Sequence, residues 1–152
     1  MCKMVSLITT RLVSKMQQLD LRETHKPLGE IMAYQNDRVV RRYMKDYGAS
    51  KEMAEKCFRE LTRFLLVCAI KPGPKITSQS IDEMWHTFLL FTKSYKEFCE
   101  EYLGRFINHE PVEESKPHVY LETRSFTADF FGNIDEEFWP MESTVPCGRC
   151  DT

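Results

Sequence analysis

The sequence has little glycine, no strong net charge and no long hydrophobic run. Its 6 glycines do not cluster, so the chain lacks the glycine-rich loop that binds phosphate groups. The net charge of −2 and the pI of about 6.1 argue against the basic face that nucleic-acid binding normally needs. The longest apolar stretch, residues 64–70, is far shorter than the ~20 residues of a membrane helix. We therefore expect neither a nucleic-acid partner nor a membrane partner.

A secretory signal is also missing from the N-terminal residues. Arg11 and Lys15 interrupt the apolar character of residues 1–21, and no small-residue cleavage site follows. We expect a soluble, cytoplasmic protein, in which the six cysteines do not form a disulfide framework. Cys57 and Cys68 fall on the apolar face of a predicted helix, where cysteine packs as a small hydrophobic residue.

Helical periodicity dominates what the sequence does contain. Apolar residues recur at steps of three and four along most of the chain. The predicted helices comprise residues 5–19, residues 28–34, a helix capped by Asn36 and ended by Gly48, a helix capped by Ser50, and a central helix that begins at the capping box of Ser80 and Glu83 and ends at Gly104. The chain is 152 residues long and 42% hydrophobic. It therefore predicts an all-α, single-domain bundle of about five helices with an irregular C-terminal extension.

The C-terminal region beyond Pro111 differs in composition. Residues 118–122 have the pattern of a short extended segment, and residues 125–131 that of a short helix ended by Gly132. We expect Trp139 to pack against the helical body. The predicted division is a helical domain of residues 1–140 and a cysteine-containing tail of residues 141–152. The tail is either disordered or held by a metal ion.

Asp82 and His86 are the first candidate site residues. They lie four residues apart on the central helix, so their side chains are neighbours. A carboxylate beside a histidine fixes its tautomer and makes the other ring nitrogen a better ligand or base. The alternative is an exposed ion pair worth a few tenths of a kcal/mol.

The same region resembles the glycine-rich domain-containing protein-like family. The resemblance covers about residues 55–111 and rests on residues 60–69, Pro72-Gly73, residues 81–88, residues 91–95, Phe98-Cys99, residues 103–107 and residues 109–111. That family is marked by an Asp-x-x-x-His helix with Trp before the His, followed by Tyr, Cys, Gly and His. The chain lacks the family's glycine-rich tract, so the resemblance concerns the helical core and implies a fold more than a function. It also implies that His109, as the terminal motif histidine, is a partner for His86.

Cysteines supply the remaining candidate ligands. The pair Cys147 and Cys150 has the two-residue separation that can chelate one zinc ion, and His86 with His109 would complete a Cys₂His₂ set. Cys99 is a reserve ligand, because it lies roughly 140° from His86 around a continuous helix. Redox chemistry of the Cys147–Cys150 pair and an inert tail are the alternatives.

Three functions remain open from the sequence. The first is a small protein that binds a structural metal ion, zinc, through His86, His109, Cys147 and Cys150, with Cys99 in reserve and Asp82 as the orienting residue. The second is a metal-free helical module that binds a protein partner. The third is an enzyme with His86 as base and Asp82 as its orienter. It comes last because no nucleophile or cofactor motif accompanies the pair.

Overall fold

Helices make up most of the described structure, a computed structural model that covers residues 24–111 and 116–141 and the backbone of residues 149–151. The α-helices of this part are α1 (Leu28–Met32), α2 (Asp37–Tyr47), α3 (Lys51–Ile70), α4 (Gln79–Leu89), α5 (Thr92–Phe98) and α6 (Pro117–Phe131). The predicted all-α, single-domain fold is confirmed. Within these residues no helix is both long enough and apolar enough to cross a membrane.

Capping residues set the ends of α2 and α3 as the sequence predicted. The Asn36 side chain accepts a hydrogen bond from the Val39 N–H at 3.3 Å, and the Ser50 hydroxyl accepts one from the Met53 N–H at 3.2 Å. Each bond satisfies one of the backbone N–H groups that the first helical turn leaves without a partner. Gly48 ends α2 in the left-handed conformation, with φ of 68°.

The central helix is divided, which differs from the prediction. Helix α4 ends at Leu89, α5 begins at Thr92, and a π-helical segment follows over Cys99–Leu103. The break occurs because the Leu90 and Phe91 N–H groups bond three residues back and Phe91 leaves helical backbone angles, with φ of −97° and ψ of 59°. Gly104 ends the π-helical segment with φ of 78°, which confirms the predicted stop.

The start of α4 also differs from the predicted capping box. Ser78, not Ser80, occupies the N-cap position, and its side chain makes no capping hydrogen bond. The Glu83 carboxylate accepts a hydrogen bond from the Gln79 amide at 3.0 Å instead of reaching back to the cap. The predicted capping box of Ser80 and Glu83 therefore does not form, because the Glu83 carboxylate bonds to Gln79 instead.

A small antiparallel sheet is the main feature that the sequence did not predict. Its strands are β1 (Lys75–Ile76), β2 (Asn108–Glu110) and β3 (Arg149–Asp151), with β3 in the middle. Residues 118–122, predicted as an extended segment, belong to α6 instead. Pro117 explains the difference, because its fixed φ suits the first turn of a helix.

Tryptophan packing fixes the chain after α6, as predicted. Trp139 is fully buried and its indole N–H donates to the Glu60 carboxylate on α3 at 2.9 Å. The Tyr120 hydroxyl donates to the Pro140 carbonyl at 2.7 Å, and Arg124 Nε donates to the Trp139 carbonyl at 2.7 Å. These bonds hold the segment that follows α6 against the helical body.

The cysteines depart from the prediction at one position. Cys57 is a buried free thiol whose Sγ donates to the Ser80 carbonyl at 3.3 Å, in line with core packing. Cys68 is also fully buried in the core, as predicted, but it is disulfide-bonded, which the sequence did not predict. Its partner lies outside the described side chains. Sequence spacing cannot show which cysteines the fold brings together.

Three predictions fall beyond the described structure. They are the predicted helix of residues 5–19, the proposed ligand Cys147, and the role of Cys150 as a ligand, since only the backbone of Cys150 is described. The division into a domain of residues 1–140 and a tail of residues 141–152 stays a prediction, to which the structure adds the backbone pairing of β3.

Candidate metal centre

Asp82, His86 and His109 form a cluster at the junction of α4 and β2. Each residue offers a ligand atom, and these atoms all lie within 4.8 Å of one another. Asp82 and His86 are one helical turn apart on α4, which places their side chains on the same face. His109 reaches them from β2, 23 residues beyond His86 in the sequence. Helix periodicity supplies two members of the cluster and tertiary packing supplies the third.

Within the cluster, Asp82 binds His109 more closely than it binds His86. Asp82 Oδ1 lies 3.0 Å from His109 Nε2, a hydrogen-bond distance. Asp82 Oδ2 lies 3.7 Å from His86 Nδ1, which is an ion-pair distance only. The sequence predicted Asp82 as the orienting residue of His86, whereas the geometry makes it the hydrogen-bond partner of His109.

Exposure differs sharply among the three side chains. The Asp82 and His109 side chains are 12% and 10% exposed, whereas the His86 side chain is 53% exposed. The two imidazole rings pack with their centroids 4.5 Å apart. The Asp82 and His109 side chains therefore form the buried side of the cluster, and the His86 side chain lies on the side that is open to solvent.

A buried polar chain positions the segment that carries His109. The Trp85 indole N–H donates to the Tyr95 hydroxyl at 3.0 Å, and that hydroxyl donates to the Ile107 carbonyl at 2.6 Å. Burial raises the pKa of Tyr95, so its hydroxyl remains a proton donor. The Trp85 ring also contacts the His109 ring, with centroids 4.3 Å apart. Trp85, which is fully buried, thus sets the position of His109 relative to α4.

The donor set fits a divalent transition metal. Two imidazoles and one carboxylate are nitrogen and oxygen ligands of the type that zinc accepts. Imidazole suits zinc, copper, iron and nickel, whereas magnesium and calcium favour sites built from oxygen atoms alone. Without a metal ion, the same residues form a hydrogen-bonded ion cluster centred on Asp82.

The other predicted ligands lie in different places. Cys99 is not part of the cluster: it is fully buried, and the Tyr95 hydroxyl and the Ile107 backbone are its hydrogen-bond neighbours. Burial raises the pKa of the Cys99 thiol, which disfavours the thiolate that a metal needs. The backbone of Cys150, in β3, pairs with His109.

Local spacing in the sequence identified the Asp82–His86 pair but could not place β3 beside it. The pair is visible because residues four apart on a helix are neighbours. Strand pairing between residues far apart in the sequence leaves no comparable pattern.

The structure also contains a cleft of about 100 Å³ that is separate from the cluster. It lies between α3 and the segment joining α1 to α2, and Tyr34, Asn36, Phe58 and Arg59 are among its lining residues. None of the three cluster residues contributes to it. An enzyme that used His86 as a base would need this residue at the wall of a pocket, and His86 does not line this cleft.

Taken together, the described residues define a helical domain with a histidine–carboxylate cluster at its edge. A family model matches residues 11–125, and the chain belongs to the family it describes, the UCP032817-like family. The assignment to the glycine-rich domain-containing protein-like family is therefore wrong. No curated protein and no solved structure matches the chain.

Proposed function

We propose that this protein binds one zinc ion through Asp82, His86 and His109, and that the ion has a structural role. The observation that carries this proposal is the convergence of three ligand atoms within 4.8 Å, from α4 and β2. An ion held by these residues would cross-link two elements that are distant in the sequence. Such a cross-link favours the folded state, because the unfolded chain has no preformed site.

Preorganisation supports the proposal. The Trp85 ring and the hydrogen bond to Asp82 hold the His109 ring, so little side-chain freedom is lost when a metal ion binds. The half-exposed His86 provides a route by which an ion from solvent can reach the site. The buried Asp82 carboxylate supplies the negative charge that offsets part of the charge of a divalent ion.

Calorimetric titration of the metal-free protein with Zn²⁺ tests the proposal. We expect one binding site per chain in the wild type, and a loss of affinity of at least about tenfold in His86→Ala and in His109→Ala. His118→Ala is the matched control, because His118 is an exposed histidine outside the cluster and its loss should leave binding unchanged. Circular dichroism of each variant controls for the fold. Equal zinc affinity in all four proteins would contradict the proposal.

A metal-free interaction module is the second candidate, and exposed apolar side chains are the observation in its favour. Among the residues whose side chains are described, the large apolar residues that are exposed are Tyr47, Leu90, Phe106, Leu121 and Met141. Such residues are normal on monomers when they are scattered singly, and they indicate a partner only when they form a contiguous patch. The histidine–carboxylate cluster is the more specific feature, so zinc binding remains the function we propose.

A further inference from the structure

The cleft between α3 and the segment that joins α1 to α2 has a lining that is partly apolar and partly charged. Its apolar lining residues are Met32, Val40 and Phe58, and its charged ones are Asp37, Glu55 and Arg59. Sites for small molecules combine an apolar lining with a few polar groups in this way. The volume of about 100 Å³ lies well below the roughly 300–1,000 Å³ of pockets for drug-sized ligands. A ligand of this cleft must therefore be very small.

Packing and hydrogen bonds hold the segment between α1 and α2 in place without a ligand. Asn36 caps α2 by accepting the Val39 N–H at 3.3 Å, and its side-chain amide donates to the Tyr34 hydroxyl at 3.4 Å. The Tyr34 ring packs against the rings of Phe98 and Phe58, with centroids 4.5 Å and 6.1 Å away. The cleft is thus formed before binding, so little conformational freedom is lost when a ligand enters it.

The charged residues of the cleft do not neutralise one another. Glu55 pairs with Lys51 at 3.6 Å, on the helix surface. Arg59 lies four residues after Glu55, in the order that favours an ion pair within a helix, yet the two are not paired. Within the part of the chain that the structure describes, no ion pair involves Arg59 or Asp37. One positive and one negative side chain therefore line the same small cleft and remain free to bind opposite charges on a ligand.

We propose that this cleft binds a free α-amino acid with a small side chain, such as alanine. The ligand carboxylate pairs with Arg59, and the ligand ammonium group pairs with Asp37 and Glu55. The small side chain packs against the apolar lining. This site goes beyond zinc binding and does not depend on it, because none of the three residues of the histidine–carboxylate cluster lines the cleft.

The chemistry of the lining favours a ligand that carries both charges. The guanidinium group of Arg59 matches a carboxylate with two parallel hydrogen bonds, and an ammonium group has three donors for carboxylate oxygens. A ligand with a carboxylate alone would approach Asp37 and Glu55 with charge of the same sign, and an ammonium group alone would approach Arg59 likewise. Size sets the second limit. An apolar cavity of about 150 Å³ holds benzene, so this cleft suits only the smallest amino acids.

Titration of the ¹⁵N-labelled full chain, followed by NMR, tests the ligand class. The probes are alanine, propionate, which lacks the ammonium group, and alaninamide, which lacks the carboxylate. We expect alanine to shift the backbone amide signals of residues 34–37 and 55–59 saturably. Propionate and alaninamide should bind at least about tenfold more weakly, because each places one charge beside a residue of the same sign. Tryptophan should also bind more weakly than alanine, because its ring does not fit the cleft.

Two variants locate the carboxylate partner. Arg59→Gln should weaken alanine binding at least about tenfold, because a charged hydrogen-bond partner is lost. Arg41→Gln is the matched control, since Arg41 is also an exposed arginine but does not line the cleft, and its loss should leave the affinity for alanine unchanged. The NMR spectrum of each variant shows whether it is folded.

The outcomes are distinct from those of the zinc experiments. If alanine gave no saturable shifts at these amides, the amino-acid site would be refuted and the histidine–carboxylate cluster would be unaffected. If propionate or alaninamide bound as tightly as alanine, the requirement for both charges would be wrong, and with it the proposal. This comparison uses the wild type alone, so it does not depend on the folding of a variant. Equal affinity for alanine in the wild type and in folded Arg59→Gln would also overturn the proposal.

Discussion

Glu60 is an acidic residue in buried surroundings, where its side-chain type is uncommon. It is 4% exposed, it accepts the Trp139 indole N–H at 2.9 Å, and it pairs with Arg63 at 3.2 Å. Burial raises its pKa, while Arg63 and the hydrogen bond from Trp139 oppose that rise. The residue joins α3 to the chain that follows α6, and the energetic cost is a charge held away from water.

The pH dependence of stability should show this cost. A carboxyl group with a raised folded pKa binds more protons in the native state, so the free energy of unfolding falls as pH rises from the ordinary glutamate pKa through the folded one. Glu60→Gln should remove that fall, because an amide does not titrate in this pH range, while its oxygen still accepts the Trp139 N–H. Glu60→Ala should cost about 1–3 kcal/mol, since it leaves that buried donor without a partner. Urea unfolding between pH 4 and pH 8 measures both effects, with the exposed Glu137→Gln as control. A Glu60→Gln curve parallel to the wild type would refute this role of Glu60.

At the scale of elements, we predict that substituting alanine for glycine changes stability in opposite directions at two positions, Gly48 and Gly29. Gly48 ends α2 with φ of 68°, and Gly29 lies within α1; an added Cβ would meet nothing within 4 Å at either position. Backbone conformation alone therefore decides the outcome. Gly48→Ala should destabilise the protein by about 1 kcal/mol, because alanine disfavours the left-handed region. Gly29→Ala should stabilise it by up to about 1 kcal/mol, because alanine favours a helix. Thermal unfolding of both variants measures the sign, and two changes of the same sign would show that backbone conformation does not decide it.

Local signals in the sequence predicted most helices and their ends. Asn36, Ser50 and Gly48 act as the caps that their residue types favour, and hydrophobic spacing identified the buried faces. Two features depended on contacts that local patterns do not encode. The break at Leu90–Phe91 arises from tightened backbone bonding inside a continuous apolar pattern. The sheet joins strands of two or three residues, which are too short to show alternation.

The candidate site shows the same division between local and distant contacts. The spacing of Asp82 and His86 identified them as neighbours, and the structure brings His109 to the same cluster. The geometry of a continuous helix predicted that Cys99 points away from His86. The structure divides that helix at Leu90–Phe91, and it places Cys99 in the core, outside the cluster. The preference of Asp82 for His109 over His86 depends on how β2 lies against α4, which no spacing along the chain specifies.

For the whole molecule, the cluster lies where three distant parts of the chain meet. Helix α4 contributes two residues, β2 contributes His109, and the β3 backbone pairs with β2 at that position. The buried hydrogen bonds from Trp85 to Tyr95 and from Tyr95 to Ile107 link the same region to the core. A zinc ion bound to the three cluster residues would therefore join α4 to β2, the strand with which β3 pairs.

Elemental analysis of the purified protein, prepared without a metal-binding tag, tests zinc binding most directly. We predict about one zinc per chain in the wild type and in His118→Ala, and far less than one in His109→Ala. Protein that contains no zinc, and that takes up none when zinc is supplied, would contradict the central claim. Asp82, His86 and His109 would then be a hydrogen-bonded ion cluster that joins α4 to β2 without a metal ion.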